Sequence, residues 1–182
     1  TRGDEEIIVA NKEGRAIRFN EQTVRTMGRN ATGVRAMRID EGDEVIGMVS
    51  VCNPEKDTVL VVSDQGYGKR SDVEDYRITN RGGKGVKTMN ITDKTGKLVA
   101  LKVVNDEDDL MIINVSGITL RLHTSDIRVM GRATQGVRLI NLSKRGDTIA
   151  SICRVPREDE ENINAETSEA TTEDSDQPEN DN

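Results

Sequence analysis

The feature that most constrains this chain is an internal repeat with a period of about 52 residues. Three glycines lie 52 and 51 residues apart, each between an apolar run and a basic one: Gly14, Gly66 and Gly117. An arginine follows four residues after each of them: Arg18, Arg70 and Arg121. This regular spacing indicates tandem copies of one structural unit that buries its apolar faces against its neighbours.

A second anchor keeps the same spacing and reads Arg, three residues, Gly, Val and then a basic residue. It occurs as Arg29 to Arg35, Arg81 to Lys87 and Arg132 to Arg138. The glycines Gly33, Gly85 and Gly136 predict a positive φ or a close approach to another chain segment, and a plain turn glycine is the alternative for any one of them. The valine after each glycine opens a strand-like run, which ends at Ile39, Ile91 and Leu142 respectively.

Each unit contains four short strand-like runs separated by turn sequences such as Asp40-Glu41-Gly42-Asp43 and Lys94-Thr95-Gly96. No long stretch has a helical period. Four strands per repeat of this length are typical of a propeller blade. The sequence therefore predicts an all-β, propeller-like domain at residues 1–156, with four-stranded blades at about 5–55, 56–106 and 107–156.

Charge divides the chain into two parts. Residues 157–182 hold eleven of the 33 acidic residues and only one of the 26 basic residues. Residues 1–156 therefore hold 25 basic and 22 acidic residues, a net charge of +3, although the whole chain carries −7. The segment 157–182 lacks an apolar period, and we expect it to be a disordered acidic tail.

Composition excludes several classes of protein. No window approaches the roughly 20 apolar residues of a membrane span, and no secretory leader opens the chain, so we expect a cytoplasmic protein without membrane contact. Cys52 and Cys153 lie in alternating apolar stretches, which predicts small core side chains rather than a disulfide or a zinc site. Because the chain starts at Thr1 and holds three blades, we expect a piece of a larger propeller.

No motif indicates catalysis or cofactor binding. The segment Arg81-Gly82-Gly83-Lys84-Gly85 departs from a nucleoside-triphosphate loop, because Lys84 is followed by Gly85 and then by a strand. His123 is the only histidine and has no recurring nucleophile or metal ligand beside it, so we expect an ordinary strand residue. We predict no catalytic residue, no metal site and no cofactor in this chain.

The recurring basic residues carry the functional prediction. An arc of fixed positive charges suits a curved polyanion, and the near absence of aromatic residues favours duplex DNA over single strands. Solvated strand faces or salt bridges between blades are the alternative for any single position. The predicted DNA-contacting residues are Arg18, Arg29, Arg35, Lys69, Arg70, Arg81, Lys84, Lys87, Arg121, Arg132 and Arg138.

Three stretches resemble the repeats of the C-terminal domain of DNA gyrase A: residues 27–35, 66–70 and 130–137. The resemblance covers residues 5–156 and implies part of a six-bladed β-pinwheel whose basic outer rim wraps DNA. It implies that wrapping supports ATP-dependent negative supercoiling, in company with gyrase B and a second copy of gyrase A. ATP, Mg²⁺ and the catalytic tyrosine would belong to other domains.

The signature heptapeptide of that family is matched only in part. Residues 79–85 match its last five positions and differ at the first two, which implies a related repeat with the signature blade upstream of Thr1. The C-terminal domain of the corresponding topoisomerase IV protein is a related alternative. A propeller that binds an acidic protein is the alternative from another class, and a propeller enzyme is a more distant third.

Overall fold

The computed structural model describes residues 1–142 and 146–156, and the expected tail at 157–182 lies outside them. The described residues form eleven β-strands and three single-turn 3-10 helices, so the all-β prediction is confirmed. The strands are β1 (Glu6–Asn11), β2 (Arg15–Asn20), β3 (Val45–Val51), β4 (Thr58–Ser63), β5 (Tyr67–Asp72), β6 (Val86–Lys87), β7 (Leu98–Val104), β8 (Asp108–Asn114), β9 (Thr119–His123), β10 (Val137–Arg138) and β11 (Ile149–Pro156). The 3-10 helices are Glu21–Thr23, Val73–Asp75 and Thr124–Asp126.

The strands form three antiparallel sheets, and two of these sheets receive their fourth strand from the following unit. The orders are β3-β1-β2-β6, β7-β4-β5-β10 and β11-β8-β9. In the first sheet Arg15 of β2 lies opposite Lys87 of β6. In the second, Tyr67 of β5 lies opposite Arg138 of β10. Consecutive units are therefore joined by a shared strand, which the division into self-contained blades did not anticipate.

The third sheet has three strands in the described part of the chain, where four were expected. The reason is the same sharing of strands, because no described segment occupies the place that β6 and β10 fill in the other sheets.

The run predicted from Val34 to Ile39 is not a strand. Its counterparts β6 and β10 become strands by pairing with the preceding unit, and the described residues contain no strand before β1. Instead, the Gly82 amide donates to the carbonyl oxygen of Ala36 at 2.6 Å, and the Arg38 amide donates to that of Gly83 at 2.8 Å. This segment therefore braces the glycine-rich loop of the second unit.

The core lies between successive sheets, and the central strands of the first two sheets are buried on both faces. One cluster joins Ile8 and Ala10 of β1 to Val59 and Val61 of β4. A second cluster joins the opposite face of β4 to one face of β8. Burial on both faces explains why β1 and β4 are continuous apolar runs.

The sheets have an inner and an outer edge. The strands that end each unit, β3, β7 and β11, lie next to one another, with β7 in contact with both of the others. The short strands β6 and β10 lie at the opposite edge of their sheets. We call the side carrying β6 and β10 the outer rim. The described residues contain no helix with the length and apolar character of a membrane span.

The prediction that both cysteines are core residues is wrong. Cys52 and Cys153 are exposed and unbridged. Cys52 directly follows the buried Val51 at the end of β3, and Cys153 lies on β11, an edge strand of the third sheet. Alternation along an edge strand turns every second side chain toward solvent.

Candidate nucleic-acid interface

Arg18 is buried between two units, although the sequence predicted a DNA contact for it. Arg18 is only 4% exposed. Its Nη1 donates to the carbonyl oxygens of Val73 and Tyr76 at 2.8 and 3.0 Å. Its Nε donates to Glu6 Oε2 at 2.6 Å. These bonds connect β2 to the 3-10 turn of the second unit, so the guanidinium serves the fold.

Arg70 repeats this arrangement one unit further along the chain. It is 5% exposed. Its Nε donates to the carbonyl oxygen of Ile127 at 2.7 Å and its Nη1 to Asp106 Oδ1 at 2.6 Å. The predicted DNA contacts of Arg18 and Arg70 are therefore corrected, because a buried guanidinium offers no surface to a phosphate.

Lys69 is the third predicted DNA contact that the structure places inside the molecule. Its side chain is fully buried. The ammonium donates to the carbonyl oxygens of Gly131, at 2.8 Å, and of Arg132, and it lies 3.3 Å from Ser71 Oγ. Burial lowers the pKa of Lys69 to about 7. Lys69 therefore holds the loop that carries Arg132, and does not itself reach the surface.

Arg121 occupies the repeat position of Arg18 and Arg70 in the third unit. Its side chain stays accessible, with 45% of it exposed. Its Nε donates to Asp109 Oδ2 at 2.7 Å, and His123 Nδ1 lies 2.7 Å from the other oxygen. Hydrogen bonds from His123 and Arg121 lower the pKa of the buried Asp109 carboxyl. His123 is the last residue of β9, as the sequence suggested for a strand residue.

The arginines of the second anchor lie across the joints between units. Arg81 donates from Nε to the carbonyl oxygen of Thr23 at 3.1 Å and from Nη1 to that of Arg35 at 3.4 Å. Arg132 makes the same pair of bonds one unit later, to the carbonyl oxygens of Asp75 and Lys87, at 3.0 and 2.7 Å. Both guanidiniums remain partly exposed, so they can brace a joint and still face a ligand.

Arg29 is the first copy of this position and is exposed. Within the described residues it has neither a hydrogen bond nor an ion pair. The difference from Arg81 and Arg132 follows from the fold, since no described unit precedes the first one and supplies carbonyl acceptors.

The basic residues that follow the repeated glycines lie on the outer rim. Lys87 and Arg138 are exposed on β6 and β10, and Arg35 is exposed at the equivalent place in the first unit. None of these three has a carboxylate within salt-bridge distance among the described residues. Lys84, in contrast, lies 3.0 Å from Asp40 Oδ1 in an exposed ion pair.

Sequence reasoning missed two further cations on this rim. Arg15 is exposed opposite Lys87, and Lys94 is exposed beside the ring of Tyr67, whose hydroxyl accepts from Arg138. Tyr67 and Ile118 stand at the positions equivalent to Arg15, and an acidic residue stands at that of Lys94 in the first unit, so neither belongs to a position that is basic in all three units. The pairing of β2 with β6 brings Arg15 beside Lys87, and no sequence pattern indicated that pairing.

The three repeated glycines adopt positive φ angles of +85°, +70° and +77° at Gly33, Gly85 and Gly136. A Cβ on Gly85 would clash with the carbonyl oxygen of Ala16, and one on Gly136 would lie 2.6 Å from that of Gly68. A Cβ on Gly33 would meet open space. The close approach therefore belongs to the two glycines that precede shared strands.

The described residues contain no group of three or more His, Cys, Asp and Glu side chains placed to hold a metal ion. The segment Arg81-Gly82-Gly83-Lys84-Gly85 packs its backbone against Ala36 and Ala16 of the first unit. What the surface does present is a rim of basic side chains without carboxylate partners.

Repeated antiparallel sheets that share strands, with unpaired cations along one edge, define a propeller-type domain with a basic rim. Comparison with known proteins identifies the family: the DNA gyrase C-terminal domain, a beta-propeller, matches at residues 5–52, 57–105 and 108–155. The chain belongs to this family.

DNA gyrase A proteins of Staphylococcus aureus agree with this assignment. The protein of strain NCTC 8325 / PS 47 is 43% identical over 174 residues, which cover 94% of this chain and 19% of the relative. That of strain MRSA252 is 44% identical over 96% of this chain. The chain thus spans about a fifth of the length of these relatives.

Two solved structures share the fold. A DNA gyrase A C-terminal domain superposes with a TM-score of 0.76 at 28% identity, covering 83% of this chain and 50% of that one. The C-terminal domain of a DNA topoisomerase IV superposes with a TM-score of 0.81 at 21% identity, covering 94% and 53%. At that identity the second likeness concerns the fold alone.

Proposed function

We propose that this chain binds the backbone of duplex DNA along its outer rim, with little sequence preference, and bends the duplex around it. The observation that carries the proposal is a group of exposed cations without carboxylate partners among the described residues, most of them at the shared strands. The group includes Arg15 on β2, Lys87 on β6, Arg138 on β10, Lys94 beside Tyr67, and Arg29 and Arg35 of the first unit. Phosphate contacts of this kind need no base readout and supply affinity through the release of counterions.

In the parent protein this binding would form part of DNA gyrase A and would support ATP-dependent negative supercoiling. The 43% identity to the gyrase A proteins of Staphylococcus aureus supports gyrase over topoisomerase IV as that parent. Gyrase B and a second copy of gyrase A would be the protein partners, and the cytoplasmic nucleoid would be the location. Within this scheme the present chain holds and bends DNA, and other domains carry out the chemistry.

Duplex binding measured against salt concentration tests the proposal. Fluorescence anisotropy of labelled duplexes of several sequences should give similar affinities that fall steeply as salt increases. Circularisation of a longer duplex by ligase should show the bending. Affinity that ignores salt, or binding to an acidic protein but not to DNA, would contradict the proposal and favour a protein-interaction propeller.

A further inference from the structure

One aromatic side chain on the outer rim contacts two cations that belong to different units. The Tyr67 ring of β5 is almost fully buried, at 7% exposure. Arg138 of β10 lies over this ring, with Cζ 5.3 Å from the ring centre, and Lys94 Nζ lies 5.6 Å from the same centre. Arg138 also donates to the Tyr67 hydroxyl from Nη2 at 2.8 Å.

Neither cation has a carboxylate partner within the described residues. Two like charges held close together repel each other, and the negative face of an aromatic ring and its hydroxyl oxygen offset part of this repulsion. Arg138 and Lys94 together lower the pKa of the Tyr67 hydroxyl, which agrees with a strongly positive environment. Their remaining N–H donors are exposed, and an anion with several oxygens would satisfy them.

The first unit lacks this arrangement. Arg15 occupies the position of Tyr67 and faces Lys87, so the equivalent place has no aromatic ring. The turn that corresponds to Lys94-Thr95-Gly96 is acidic there, Asp40-Glu41-Gly42, and Asp40 pairs with Lys84. The two joints of the rim therefore differ: each carries two cations without a carboxylate partner among the described residues, but only the joint between the second and third units holds them on an aromatic ring.

We propose that Tyr67, Lys94 and Arg138 form a clamp for phosphodiester groups that fixes the duplex at the joint between the second and third units. This inference rests on the proposed function and adds to it a principal contact point and a positioning residue. The buried Tyr67 ring orients Arg138, and the guanidinium and the ammonium contact neighbouring phosphates. A cation already fixed on a ring loses little side-chain freedom on binding.

The test compares variants of the 182-residue chain for duplex affinity over a range of salt concentrations. Lys94→Ala and Arg138→Ala should each weaken binding severalfold and reduce the salt slope by about one unit. Tyr67→Phe removes no charge and keeps the ring packed, yet it should weaken binding, because Arg138 loses its hydroxyl acceptor. In an Arg138→Ala background, Tyr67→Phe should have no further effect.

Lys102→Ala is the matched control, since Lys102 lies on β7 at the inner edge and its removal changes the net charge equally. If the unsubstituted chain binds DNA but Lys94→Ala and Arg138→Ala bind no worse than Lys102→Ala, the clamp is overturned. Additive effects of Tyr67→Phe and Arg138→Ala would overturn the positioning role of Tyr67. If the unsubstituted chain fails to bind DNA, the proposed function itself fails.

Discussion

At the scale of single residues, the fold buries some of the repeated cations, where they form hydrogen bonds between units, and leaves others exposed to a ligand. Lys69 shows this burial most clearly, because Ile17 occupies the equivalent position in the first unit and packs in an apolar cluster. At the second joint the same position carries an ammonium bonded to loop carbonyls. We therefore expect pH to affect the stability of the joint between the second and third units more than that of the joint between the first and second.

Lys69 predicts a pH dependence of stability. Its pKa is about 7 in the folded chain, against an ordinary value of 10.5. Between these values the unfolded chain binds more protons than the folded chain, so the free energy of unfolding rises with pH. Urea denaturation from about pH 7 to about pH 9 should show this rise in the unsubstituted chain and a smaller rise in Lys69→Met.

Lys102→Met makes the same chemical change on a partly exposed strand and should keep the full rise with pH. Profiles of Lys69→Met and the unsubstituted chain that run parallel across this range would show that Lys69 is not the titrating group.

The three repeated glycines separate the cost of a left-handed backbone from the cost of a steric clash. Gly33→Ala should destabilise the chain by about 1 kcal/mol, because an L-residue resists positive φ. Gly136→Ala carries the same cost and places a Cβ against the Gly68 carbonyl oxygen, which should add about 1 to 3 kcal/mol. If chemical denaturation shows equal losses of unfolding free energy for Gly33→Ala and Gly136→Ala, the close approach of Gly136 to the Gly68 carbonyl oxygen does not affect stability.

At the scale of elements, the sequence predicted the central strands and missed how the units share strands. Continuous apolar runs such as Val59–Val62 identify the central strands β1, β4 and β8, of which β1 and β4 are buried on both faces. The strands β6 and β10 contain two residues each, which is too short for any periodicity. Their pairing depends on the preceding unit, and no local pattern encodes a partner about 70 residues away in the chain.

The sequence likewise predicted only part of the candidate interface. The recurrence of Arg29, Arg81 and Arg132 correctly marked a repeated position, but recurrence could not separate surface residues from joint residues. Arg18 lies between Ile17 and Phe19 and two residues after Ala16, so both faces of β2 are apolar around it. That pattern was the available indication that Arg18 is buried.

The buried arginines should hold consecutive units together. Arg70→Met leaves the Ile127 carbonyl oxygen without its donor, while the exposed Asp106 regains water, and should cost about 1 to 3 kcal/mol of unfolding free energy. Lys12→Met breaks an exposed ion pair with Glu44 inside the first unit and should cost far less, because water replaces both partners. Comparable losses in urea titrations would contradict a joint-specific role for Arg70.

At the scale of the whole molecule, we expect the location of the charged residues to affect DNA binding more than the net charge of the chain does. The chain carries a formal net charge of −7, yet the outer rim presents cations that no carboxylate of the described residues neutralises. Screening limits the reach of exposed charges to about 8 Å at physiological salt. A DNA segment on the rim therefore senses the local cations more strongly than distant acidic residues.

Two triple variants that share the same net charge test this argument. The rim set, Arg35→Ala, Lys87→Ala and Arg138→Ala, and the control set, Lys56→Ala, Lys102→Ala and Arg154→Ala, each change the net charge from −7 to −10. Lys102 and Arg154 lie on β7 and β11 at the inner edge, and Lys56 follows β3. The rim set should reduce the salt slope of duplex binding by about three units, at about 0.9 per phosphate contact. The control set should leave the slope unchanged; equal reductions in both sets would mean that net charge, and not the rim, governs binding.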